Sequence, residues 1–185
     1  MMLLNVHIDG KWRYGETPEE KTQAVSEAFE ILAEKGSGGP DWRPGEIALF
    51  SFSETPYDDH TLPNNCLMVS INASSGYGGL IWFSTDDHPQ RGGAWGKTWV
   101  SDNPEPPDFD PQVVSDPGYP LFHDPASTLP IAQVRQAVEE FNRIATGGRP
   151  ECLSWIGGAI SGQRDDRAPI IETVGDDEID WDSLP

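Results

Sequence analysis

Four short β-prone runs follow one another between residues 47 and 100: "IALFSFS", "CLMVSI", "LIWFS" and "AWGKTWV". Only clusters of Pro, Asn, Gly and Asp separate them, with no helical periodicity in between. A parallel pair needs a crossover of a dozen or more residues, usually a helix, so strands this close must pair antiparallel, as a meander. That sheet is the frame on which the rest of the chain has to fit.

Two further strands are expected at residues 2–8 and 11–14, around the turn Asp9-Gly10. After them, "ETPEEKTQAVSEAFEILAEKGSGG" reads as a helix of about five turns over residues 17–35. Thr17 and Glu20 have the spacing of a capping box, Pro18 suits the first turn, and Gly36 can stop the helix. Ala28 joins Val25, Phe29 and Leu32 on one apolar face. A second helix is expected over residues 131–145, with Ile131, Val134, Val138, Phe141 and Ile144 as its stripe. Its Arg135, Glu139, Glu140 and Arg143 would face water, and Gly147-Gly148 would end it. A helix with one apolar stripe must bury it, so both should pack on one face of the sheet. The expected fold is α+β, an antiparallel meander-like sheet with two amphipathic helices on one face. "ECLSWI" returns as a last strand. Gly76, Gly78 and Gly79 read as a hairpin turn, and the six prolines of residues 103–120 predict an irregular acidic loop in which "QVV" is at most a short edge.

The chain has 185 residues, the size of one domain with a sizeable core. Residues 1–156 are expected to form it. Residues 157–185 read as a loosely held acidic tail: from Ala168 onward there is no Lys or Arg, against Glu172, Asp176, Asp177, Glu178, Asp180 and Asp182. Cys66 and Cys152 both lie in apolar runs without a CxxC pair, and are expected buried and reduced. "MMLLNVHIDG" has no basic leader and no run approaches a membrane span, so the expected compartment is the cytoplasm.

Asp and Glu number 31 against 12 Lys and Arg, a formal charge of −19. Such a field repels nucleic acid and anionic membrane and speeds the docking of a basic protein. Two triplets, Asp58-Asp59-His60 and Asp86-Asp87-His88, have the residue types of a metal-dependent hydrolase. The alternative function for the chain is therefore a small acidic hydrolase using these loops. Consecutive residues on extended chain point to opposite sides, however, so each triplet offers one or two ligands at most. No HExxH, no GxSxG elbow and no GxxxxGK[ST] occurs, and no HxE precedes a PCxxC, which removes the deaminase signature. No metal, cofactor or catalytic set is expected, and Asp in a turn has the simpler role of capping backbone amides.

"GGLIWFSTDDHPQRGGAWG", then the Pro- and acid-rich loop, then "LPIAQVRQAVEEFNRIATGGRPECLSW", resembles the Imm-one family of bacterial immunity proteins over about residues 76–156. These antitoxins are encoded beside polymorphic toxins, notably in actinobacteria. The resemblance implies an α+β, non-enzymatic protein that binds and blocks a cognate toxin, often of the deaminase fold. An acidic chain could fill the basic cleft of a nucleic-acid-acting toxin by presenting carboxylates where phosphates would sit. Candidate toxin-binding residues are Asp58, Asp59, Asp86, Asp87, His88 and Asp110. Trp95, Phe109 and Tyr119, with Tyr57, are the candidate exposed aromatic anchors.

Overall fold

The structure, a computed structural model, describes residues 2–35, 45–85, 98–118 and 121–168. In chain order the elements begin with β1 (Leu3–Ile8), β2 (Lys11–Gly15) and helix α1 (Pro18–Lys35). The meander follows as β3 (Ala48–Ser53), β4 (Asn65–Asn72), β5 (Tyr77–Ser84) and β6 (Thr98–Asp102). Next come β7 (Val114–Asp116), β8 (Leu121–Phe122), β9 (Thr128–Pro130), helix α2 (Ile131–Ile144) and β10 (Ser154–Gly158). Among the described residues eight strands make one antiparallel sheet in the order β10-β6-β5-β4-β3-β1-β2. β9 shares the β5 edge with β6.

Local chemistry explains the ends of these elements. Asp9 and Gly10 both take positive φ (54° and 66°), as the two-residue β1–β2 turn requires. The capping box forms: the Glu20 amide donates to Thr17 Oγ1 (3.2 Å) and the Thr17 amide donates to Glu20 Oε2 (3.0 Å). The Thr17 amide and the Glu16 amide, which also donates to Glu20 Oε2 (2.9 Å), hold the Glu20 carboxyl below its ordinary range. α2 ends through Ala145, left-handed at φ 54°, two residues before the glycines expected to stop it.

Alternation along the strands sorts the sheet into two faces. Leu4, Val6, Ile8, Ala48, Phe50, Phe52, Leu67, Val69, Ile71, Leu80 and Trp82 form one buried cluster with Val25, Phe29 and Leu32 of α1 and Val134, Val138 and Phe141 of α2. Both helices therefore cover one face, and the α+β architecture is as expected. The stripe of α2 differs at its edges. Ala137 is buried, Ile144 is exposed, and half-buried Glu140 accepts the Glu151 and Cys152 amides (3.3 and 2.9 Å) instead of facing water.

Other expectations need correction. Cys66 is buried in β4, but Cys152 is exposed in a bend before β10, because Glu140 draws its amide out of the strand. Gly76 alone makes the hairpin turn (φ 80°), whereas Gly78 and Gly79 lie within β5. A Cβ on Gly78 would meet Val134, and one on Gly79 would sit 2.5 Å from His123 Cδ2, so close packing requires both glycines. The Pro-rich segment holds β7, which pairs with β8 as a small second sheet over part of the helix-free face.

β10 runs to Gly158, past residue 156, and Arg164 beyond it is buried. Its guanidinium donates to Asp102 (2.9 Å), Asp166 (2.8 and 2.9 Å) and the Ala126 carbonyl (3.0 Å), tying the segment after β10 to β6 and the turn before β9. Arg164→Met should cost about 2 kcal/mol, since it strips the half-buried Asp102 carboxylate of its cation and removes one of the two donors to the Ala126 carbonyl, the other being the Asn103 amide. Urea denaturation reads that loss, and an unshifted midpoint would mean the latch carries no stability.

Candidate binding surface

Seven cross-strand neighbours on the helix-free face make one row: Trp12, His7, Leu49, Met68, Ile81, Val100 and Ile156. Ile81 and Val100 are buried, while Trp12, His7, Leu49, Met68 and Ile156 are half-buried. Such a row arises because side chains alternate along each strand and pair directly across the ladder.

The β2 end of the row carries an aromatic group. The Trp12 ring lies 4.9 Å from His7, 6.5 Å from Tyr14 in a parallel stack, and 6.4 Å edge-on to Tyr57. Trp12 and Tyr14 pair across from His7 and Asn5, whereas Lys11 and Arg13 of the same strand pair with Ile8 and Val6 of the helix-covered face. The free face of β2 is thus aromatic and its cations sit behind it.

The loop after β3 docks against these rings. Asn5 is fully buried, donates from Nδ2 to Ser53 Oγ (2.7 Å) and accepts the Tyr57 amide (2.8 Å). The Tyr14 hydroxyl donates to the Tyr57 carbonyl (2.7 Å), and Trp12 Nε1 donates to Asp59 Oδ1 (2.8 Å). Tyr57 is buried, not an exposed anchor: its ring packs edge-on to Trp12, and burial pushes its hydroxyl pKa up. Asp58 accepts the Thr61 hydroxyl (2.7 Å) and the His60 amide (3.0 Å), which hold its carboxyl below the ordinary range. Its turn leaves both Asp58 and Asp59 exposed beside Trp12 and Tyr14.

Phe109 and Asp110 belong to a separate part of the same side. The Phe109 ring is half-exposed and meets Tyr77 edge-on at 5.7 Å. Asp110 accepts the Gln112 amide (2.9 Å), and Asn72 Nδ2 donates to the Pro111 carbonyl (2.9 Å), which pins the loop to the end of β4. Tyr77 alternates with Gly78, whose missing side chain makes room for Val134 of α2, so Tyr77 and Phe109 are on the helix-free side. Asp86, Asp87, His88, Trp95 and Tyr119 lie outside the described residues. Trp12 and Tyr14 were not anticipated; the signal for them was the alternation of "KWRY" against β1, which puts both rings on one side.

Among the described residues, no three or more His, Cys, Asp or Glu side chains converge as metal ligands. Among them, too, no helix is long and apolar enough to cross a membrane. What the surface offers is aromatic area beside fixed carboxylates, the chemistry of protein recognition. The family model for Immunity protein Imm1 matches residues 13–156. No curated protein and no solved structure matches the chain.

Proposed function

The chain belongs to the Imm1 immunity protein family, and we propose that it holds a cognate secreted toxin domain against its helix-free sheet face, without enzymatic activity of its own. The toxin of this proposal acts on nucleic acid, as a deaminase-fold domain does, and the chain fills its basic cleft. The observation that carries the reading is the exposed pair Asp58 and Asp59 fixed beside the Trp12 and Tyr14 rings. Carboxylates held by a turn can stand in for phosphates in a basic cleft, and the neighbouring rings supply the contact area that a charge pair lacks. The net charge of −19 would steer a basic partner toward this face. Asp86, Asp87, His88, Trp95, Phe109, Asp110 and Tyr119 are further candidates for toxin contact in this proposal. The immunity unit of this reading extends past residue 156 to include Arg164, with the acidic residues beyond as a tail. The site of action is the cytoplasm, where such a toxin would meet its target.

The test uses the purified chain and the product of the adjacent gene. Trp12→Ala should weaken the complex by about 2 kcal/mol through a faster off-rate. Charge reversal at Asp59, or at Asp86 and Asp87, should slow association. The wild-type on-rate should fall between low and physiological salt, as screening shortens the field to about 8 Å. An on-rate indifferent to salt and to charge reversal, with affinity unchanged by Trp12→Ala, would place the interface on another face.

A further inference from the structure

On the opposite side of the molecule a cleft of about 480 Å³ opens between α1 and α2. Its lining includes Lys21, Thr22, Ser26, Arg135, Asn142 and Arg143. Three of the chain's 12 basic residues thus meet in one cleft of a strongly acidic protein. Among the described cations outside the cleft, four pair with carboxylates: Lys35 with Asp9, Arg13 with Glu27, Arg164 with Asp102 and Asp166, and Arg167 with Asp124; Arg149 instead lies over the Trp99 and Trp155 rings. In the cleft only Arg135 has such a partner, Glu139 (3.0 Å), and both of those side chains are exposed.

Lys21 is the unusual member. It sits on the buried stripe of α1, only 8% exposed, where an apolar residue would be expected. Gly15 makes room for it: a Cβ there would lie 2.9 Å from Lys21 Cγ. Its Nζ lies 5.5 Å from the centre of the Phe52 ring, and among the described residues no carboxylate pairs with it. A lysine so buried normally has an anion beside it, because the ring face replaces only part of the lost hydration. Arg143 likewise forms no salt bridge among the described residues, and the Asn142 Oδ1, buried without a hydrogen-bond partner, is an acceptor for a donor group on the ligand rather than for its anionic end.

We propose that this cleft binds a small molecule through an anionic group, a carboxylate or a phosphate, with Lys21 and Arg143 as its charged contacts. Thr22, Ser26 and the Asn142 amide are the neutral polar groups in reach of the same space. Val25 and Ala145 add apolar wall, and the volume suits a compact ligand with a short hydrocarbon part. The remote carboxylates that give the chain its charge do not prevent this. Beyond about 8 Å at physiological salt they are screened, whereas the cleft cations act at contact. The inference does not depend on where a toxin docks.

The full chain, labelled with ¹⁵N, is titrated with sodium succinate and separately with sodium phosphate, the ionic strength being held constant with sodium chloride. Saturable shifts confined to the amides of residues 18–26 and 135–145 are expected, and the stronger arm identifies carboxylate or phosphate as the ligand chemistry. Lys21→Met keeps a stem on Phe52 and should abolish saturation. Arg143→Gln, at an exposed position, should weaken binding about tenfold, as loss of one charge-assisted hydrogen bond does. If neither anion gives a saturable shift, or if Arg143→Gln binds as wild type does, the cleft is not an anion site.

Discussion

Val138→Asp is expected to abolish the cooperative unfolding transition by leaving no native state to melt. Val138 is fully buried on α2, in the same cluster as Phe52 and Phe141, whose rings lie 5.3 Å apart. Buried polar side chains beside this layer are already engaged, such as Asn65 with the Phe52 backbone and Lys21 over the Phe52 ring. None of these is placed to receive a carboxylate from α2 without being pulled from its own role. An unpaired carboxyl group in such a site costs several kcal/mol even after it takes up a proton. The whole stability of a domain is roughly 5–15 kcal/mol. The loss also spreads, since a helix of 14 residues has little stability without its apolar face buried. Near-ultraviolet circular dichroism of the tryptophans during a thermal scan reads the outcome. A native melting profile for the variant would mean that α2 does not pack on the sheet as described.

The elements were legible wherever the signal is local. The Thr17–Glu20 capping box, the Asp9-Gly10 turn and the stripe Val134, Val138 and Phe141 each depend on residues within a few positions of one another. The meander was legible because the short spacers leave one pairing mode. What escaped was set by partners far along the chain. Tyr57 looks exposed until Asn5, 52 residues earlier, takes its amide. Gly78 and Gly79 look like turn residues until Val134 and His123 arrive against them. Lys21 has the polarity of a surface residue, and its burial follows from the close approach of the first turn of α1 to β2 at Gly15, where a side chain would meet the Lys21 backbone and stem. The candidate site follows the same division. The Asp58-Asp59 segment was legible as a turn in which Asp caps a backbone amide, but its neighbours Trp12 and Tyr14 depend on strand register and a loop closing over some 47 residues. Consistent local signals give the frame, and the surface comes from long-range docking onto it.

That long-range docking has one measurable cost, at His123, and the stability of the protein should fall by about 3 kcal/mol as pH drops from about 6.5 to about 4. The imidazole is 3% exposed and packs against Gly79 in the middle of β5, and its Nδ1 has no hydrogen-bond partner. Burial alone pushes its pKa down from 6.5 to about 4. Between those values the unfolded chain binds a proton at this position and the native chain does not, so acidification favours unfolding. The contribution is complete above the ordinary histidine value, is lost progressively below it, and stops falling near pH 4. Carboxylates held low in the native state, such as Asp9, Asp58, Asp166 and Glu20, also favour unfolding in acid. Their ordinary values of 3.8 and 4.5 place that effect at the lower end of the range. The upper part of the window therefore belongs to His123. Urea midpoints measured across this range should slope for the wild type and flatten for His123→Leu, which removes the titrating group while keeping an apolar side chain against Gly79. Equal slopes in the two proteins would show that His123 takes up its proton in the native state, and that the layer formed by β7 and β8 does not seal it from water.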